Sequence, residues 1–118
     1  DGGAVTWPAM TSLLRAKQYL LTGDRLSAVE AVELGLANFV VPADRLMEET
    51  LATATKIASF SLPVILKVKE SVNRAYESSL AEGLLFERRE FHGTFGLEDQ
   101  KEGMRAFVGK RKPAFKHR

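Results

Sequence analysis

Apolar residues recur at helical spacing along almost all of this chain, and one short apolar run, Leu36-Ala-Asn-Phe-Val-Val41, interrupts them. That run is the strongest constraint on the fold. It alternates little and ends at Pro42, as expected of a strand buried on both faces. A lone strand makes no sheet, so its partner is expected outside these residues and the chain is expected to be part of a larger structure. The opening Asp1-Gly2-Gly3, with no initiator methionine, points the same way and reads as a tight turn.

Around this run the expected elements are helices. The first spans about Thr6 or Trp7 to Leu21, with Pro8 in its first turn. Ser27-Ala-Val-Glu30 is a capping box that opens a short helix to Leu34, with Gly35 as a left-handed stop. A long helix is expected from Asp44 to Ser59, with Leu46, Met47, Leu51 and Ile57 in a buried stripe. Ser61 and Pro63 start another that reaches Tyr76. Ser79-Leu-Ala-Glu82 reads as a second capping box, for a helix with Leu80, Leu84, Phe91 and Phe95 roughly on one side. The last helix runs from Glu98 to Val108. Gly103 weakens it by roughly 1 kcal/mol relative to alanine, so an outside contact is expected to steady it. The fold class is therefore mainly α, about six helices and one short strand.

At 118 residues, 45% of them hydrophobic and 27% charged, the chain has the length and composition of one globular domain with its own core. It contains no cysteine, which excludes disulfides and thiolate metal sites and fits a reducing, cytoplasmic setting. No apolar run approaches the ~20 residues of a membrane-spanning helix. Charge is uneven. Residues 101–118 hold seven basic side chains against one acid, Glu102, so this segment carries +6 and the rest −4, within a net +2.

Few residues suggest chemistry. His92 and His117 lack the spacing of a metal site. His92 reads as a partly exposed helix residue rather than a base. Glu48-Glu49 and Glu98-Asp99 are adjacent pairs whose side chains diverge by about 100° on a helix. First-turn acids that favour the helix dipole account for Glu98 and Asp99. The run Lys110-Arg111-Lys112 reads as a solvated surface, an anion site or a nucleic-acid contact. Phe107 stands one turn before Lys110, a spacing at which a ring and a cation receive an adenine and a phosphate together. Nucleic acid would call for more interleaved aromatics.

Taken in order, several segments carry a resemblance. They are Gly2-Gly3, then Leu21-Thr22-Gly23-Asp24-Arg25-Leu26-Ser27-Ala28, then Gly35-Leu36-Ala37-Asn38 with Val40-Val41-Pro42, then Lys69-Glu70-Ser71-Val72-Asn73. The tail Glu102-Gly103-Met104-Arg105-Ala106-Phe107-Val108, with Lys110-Arg111-Lys112-Pro113, completes the set. Together they resemble the C-terminal part of the enoyl-CoA hydratase/isomerase (crotonase) family.

The resemblance implies an α/β spiral fold whose core ends within residues 1–42. Residues 43–118 would form the helical region for CoA contact and oligomerisation. It implies a hydratase that adds water to 2-trans-enoyl-CoA, giving 3-hydroxyacyl-CoA in fatty-acid degradation. Acyl-CoA is then substrate, and no cofactor, metal, membrane or nucleic acid is involved. A homo-trimer or hexamer is the expected assembly. The two catalytic glutamates and the oxyanion hole are expected before Asp1, so no catalytic residue is expected in this chain and it should be inactive alone. Asp1-Gly2-Gly3 matches the end of a family turn near the acyl group. Phe91, Phe107 and Lys110 match positions that flank CoA, the rings at the adenine and pantetheine and the lysine at a phosphate. Enoyl-CoA isomerase, dehalogenase and thioester hydrolase activities share this pattern, as would an inactive acyl-CoA-binding or oligomerisation module.

Overall fold

Serines and glycines at helix ends set the order of elements in the computed structural model, which describes residues 2–118. The expectation for Asp1 lies outside the described residues. Seven α-helices follow one another: α1 (Gly3–Met10), α2 (Leu13–Thr22), α3 (Ala28–Glu33), α4 (Leu46–Ala58), α5 (Leu62–Arg74), α6 (Leu80–Thr94) and α7 (Glu98–Val108). A 3-10 turn, Ala43–Arg45, leads into α4. No single helix among the described residues is long and apolar enough to cross a membrane. The residues form two compact units, one up to Glu49 and one over Thr50–Arg118, dividing within α4.

In the first unit, the single helix expected from Thr6 or Trp7 to Leu21 is two. Pro8 lies inside α1 rather than in its first turn, because the helix already starts at Gly3. Proline lacks an N–H and crowds the preceding turn, and α1 stops two residues later. Ser12 then adopts an extended conformation, and its hydroxyl accepts from the Arg15 N–H at 3.3 Å, starting α2. Trp7 and Tyr19 join the two helices edge to face, with ring centroids 6.3 Å apart.

The capping box at α3 forms as expected. The Ser27 hydroxyl accepts from the Glu30 N–H at 3.2 Å, and the Glu30 carboxylate accepts from the Ser27 N–H at 2.9 Å. Gly35 ends the helix at φ 79°. Its N–H reaches the Val32 carbonyl at 3.0 Å and the Leu36 N–H reaches the Ala31 carbonyl at 2.8 Å, the paired bonds of a Schellman motif.

The strand expected at Leu36–Val41 is absent: no strand occurs among the described residues. The N–H groups of Leu36 and Ala37 both turn back to the Ala31 carbonyl, so they are not offered to a ladder. Phe39 and Val40 are about half exposed, not buried on two faces. The expected core is also missing. Among the described residues the only buried apolar ones are Ala16 and Ala106. Leu46, Met47, Leu51 and Ile57, expected in a buried stripe, are exposed.

In the second unit α5 packs on α6. The Lys67 ammonium donates to the Glu90 carboxylate across that contact. Arg74 lies 4.4 Å over the Phe86 ring. At α6 the second capping box is half formed. Ser79 accepts from the Glu82 N–H at 3.3 Å, but the Glu82 carboxylate meets the Ser79 hydroxyl instead of its N–H.

The chain after α7 folds back along that helix, held by two of its acids and, at the terminus, by a third. The buried Asp99 carboxylate accepts the Lys116 and His117 N–H groups at 2.7 and 2.8 Å. The Glu102 carboxylate accepts both terminal nitrogens of Arg111, at 2.6 and 3.0 Å, and the Ala114 N–H at 2.9 Å. Glu98 accepts from the Arg118 guanidinium at 3.1 Å. His117 Nδ1 in turn accepts the first N–H of α5, that of Leu62, at 3.1 Å. The neighbouring Ser61 hydroxyl is buried without a hydrogen bond of normal geometry. Phe115 lies against Gly103, where an added Cβ would sit 3.6 Å from its ring. The contact that steadies the Gly103 helix is thus the chain's own tail.

These bonds hold both carboxyls in the charged form. The Arg111 guanidinium and the Ala114 N–H bring Glu102 from 4.5 to about 2, against the effect of burial. Burial pushes Asp99 up, but the nearby Ser61 hydroxyl, the two tail N–H groups and His117 outweigh it and leave Asp99 below its ordinary value.

Two tests follow from these contacts. Gly35→Ala places a Cβ at positive φ and 3.3 Å from the Met10 carbonyl; it should destabilise by about 1–2 kcal/mol, read as a lower urea midpoint. Acid should loosen the tail. Folding lowers the Glu102 carboxyl, so the unfolded chain binds the proton first. The stabilisation is complete above pH 4.5, falls as pH drops below it, and is lost near pH 2. Glu102→Gln should lower the neutral-pH melting temperature and flatten its decline through that window.

Candidate CoA-contact site

The α5 and α6 stripes meet α7 and the returning tail around an apolar groove of about 840 Å³ in the second unit. Ile65 and Val68 line it from α5, Phe91 and Phe95 from α6, Met104 from α7 and Phe115 from the tail. Phe91 and Phe95 stand edge to face with centroids 5.3 Å apart. Both remain more than half exposed, so the groove offers aromatic faces to solvent. Lys67 and Glu90 also line it and pair with each other, while Glu87 and Asp99 add two further carboxylates to the lining.

Phe91 is therefore set in a groove, while the other two expected CoA contacts stand elsewhere in the same unit. Phe107 and Lys110 are not lining residues; they sit at the end of α7, both exposed. The structure joins these two through the backbone, the Lys110 N–H donating to the Phe107 carbonyl at 3.2 Å. The Arg111 N–H reaches the Ala106 carbonyl at 3.0 Å. This is again a Schellman stop, with Lys110 in the left-handed position at φ 49°. Glycine normally fills that position, and a side chain there costs roughly 1–2 kcal/mol. Gly109, one residue earlier, has an ordinary φ of −77°.

The basic run is divided by this turn. Arg111 is committed to Glu102, while Lys110 and Lys112 form no ion pair among the described residues. Phe107 and Lys110, a lysine without an ion pair, thus stand on one exposed turn joined by a backbone hydrogen bond.

The remaining candidates resolve into structural contacts. Glu49 pairs with Arg45, Glu98 with Arg118, and Asp99 holds the tail. His92 is exposed on α6, its ring 6.0 Å from that of Phe91. No cluster of three or more His, Cys, Asp or Glu side chains suited to a metal occurs among the described residues. Two groups escaped the sequence: Asp99 and Glu102 as anchors of the tail, and the Lys67–Glu90 pair. The i, i+3 spacing of Asp99 and Glu102 on one face, ahead of a basic tail, was the available signal for the first.

A family model described as enoyl-CoA hydratase/isomerase matches residues 2–118. A probable enoyl-CoA hydratase from Rhizobium meliloti is 53% identical over 117 residues, covering 99% of this chain and 46% of that protein. A probable mitochondrial enoyl-CoA hydratase from Dictyostelium discoideum is 52% identical, over 86% of this chain and 36% of its own length. Among solved structures, an enoyl-CoA hydratase from Bacillus anthracis superposes with a TM-score of 0.95 at 37% identity, covering 99% of this chain and 45% of that one. One from Polaromonas sp. JS666 gives 0.91 at 30% identity, over 98% and 45%. The chain spans under half the length of these relatives. On the match across residues 2–118, the chain belongs to the enoyl-CoA hydratase/isomerase family.

Proposed function

We propose that this chain is the C-terminal acyl-CoA-contacting and assembly portion of an enoyl-CoA hydratase. The whole protein would add water across 2-trans-enoyl-CoA to give 3-hydroxyacyl-CoA. Two glutamates and a pair of backbone N–H groups, outside these residues, would carry that chemistry. The N–H groups would hold the thioester oxygen as negative charge develops on it. The glutamates would activate the water and protonate the α carbon.

The match over residues 2–118 carries this reading. The local geometry supports a binding role. Phe107 and Lys110 would take the nucleotide end of CoA, and Phe91 would border it from the groove. The exposed faces of Leu46, Met47, Leu51 and Ile57 would be covered by the remainder of a family-length chain or by further subunits of a trimer or hexamer.

The 118-residue chain alone is expected to hydrate no crotonyl-CoA and to self-associate at high concentration. In a family-length protein carrying this segment, replacing Phe107 and Lys110 together by alanine should raise the KM for crotonyl-CoA at least about tenfold, the scale of one lost charge-assisted contact. Steady-state kinetics on the variant check this, and an unchanged KM would remove Phe107 and Lys110 from the site. Turnover by the isolated chain would contradict the placement of the catalytic groups.

A further inference from the structure

We propose that Glu102 and Arg111 are positioning residues for Lys110: their paired contact holds the turn after α7 in the shape that presents the Lys110 ammonium to a CoA phosphate. This rests on Lys110 being a phosphate contact, as inferred above.

Three observations carry it. Lys110 occupies the left-handed position of the turn, at φ 49°, although a glycine is available one residue earlier. Strain of this kind persists only where the surroundings over-determine it, and it concentrates at functional sites. The surroundings here do over-determine it. The residue after Lys110 is held at its N–H by Ala106 and at both guanidinium ends by Glu102, and it reaches the Lys112 carbonyl at 3.1 Å. The same carboxylate fixes the Ala114 N–H, so the chain is held on both sides of the turn.

Charge gives the third observation. Glu102 is the single acid within residues 101–118, and Arg111 takes both of its oxygens. Lys110 is left without an ion pair, its side chain exposed. A bidentate fork also fixes direction, which a lysine in place of Arg111 would not do. The clamp therefore both tolerates the strained lysine and leaves its charge available. A turn that served only to end the helix would be better filled by glycine at position 110.

The test uses a family-length protein carrying this segment, with CoA and S-acetylpantetheine, which lacks the phosphates, as probes. Lys110→Ala should weaken CoA binding about tenfold and leave S-acetylpantetheine unchanged. Glu102→Gln and Arg111→Lys should each weaken CoA binding about threefold, raise the KM for crotonyl-CoA with kcat unchanged, and add nothing when combined with Lys110→Ala. Lys112→Ala, which removes a charge beside the turn, should weaken it less than Lys110→Ala does. Lys110→Gly should raise the melting temperature while binding CoA as weakly as Lys110→Ala.

Normal CoA binding by Glu102→Gln and Arg111→Lys, beside a weakened Lys110→Ala, would overturn the positioning role and leave the phosphate contact standing. So would losses that simply add to that of Lys110→Ala. Unchanged CoA binding by Lys110→Ala would remove the phosphate contact itself and the positioning role with it. A lower melting temperature for Lys110→Gly would show that no strain is stored at position 110, and would also overturn the proposal.

Discussion

A scarcity of buried apolar surface governs this structure. The composition is 45% hydrophobic, yet the buried apolar residues among those described are two alanines. Short helices are marginal in water unless something covers their apolar face. What holds these helices locally is their ends: Ser12, Ser27 and Ser79 at the starts, Gly23 and Gly35 at the stops. Each satisfies backbone groups that a helix of 6 to 15 residues leaves free. Membership of a family whose relatives are about twice as long fits this imbalance.

Polar contacts supply the longer-range order in the second unit. Asp99 and Glu102 between them bind four backbone or guanidinium partners from the tail, and His117 passes the connection on to α5. Bonds to ionised carboxylates are stronger than neutral ones, and they compensate for the poor apolar burial around them. The same clamp shapes the turn on which Phe107 and Lys110 stand. Tail, turn and candidate CoA contact thus form one continuous set of interactions.

Much of this was legible in the residues. The α3 capping box, the Gly35 stop and the span of α7 appear where the spacing placed them. Phe107 and Lys110 share one turn, as their spacing required. Two of the expectations that failed have local reasons. Ser12 competed with a continuous helix and capped a new one, helped by Pro8 inside α1. At Leu36–Val41 the β-type composition lost to the helix stop before it, which turned two N–H groups back to Ala31. Glu98 and Asp99 looked like simple first-turn acids, because their adjacency reveals no partner; only the i, i+3 spacing of Asp99 and Glu102 ahead of a basic tail hinted at one.

That contrast has a physical origin. Caps and helix stops are contacts between residues three to five apart, and their energies hardly depend on the rest of the chain, so residue order alone determined them. The Leu62–His117 bond spans 55 positions, and Asp99 reaches 17 and 18 positions to the tail. Such pairs depend on how the chain returns in space. Only the tertiary structure decided that Arg111 would be consumed by Glu102, that Lys110 would be left free, and that Phe91 would stand in a groove apart from Phe107.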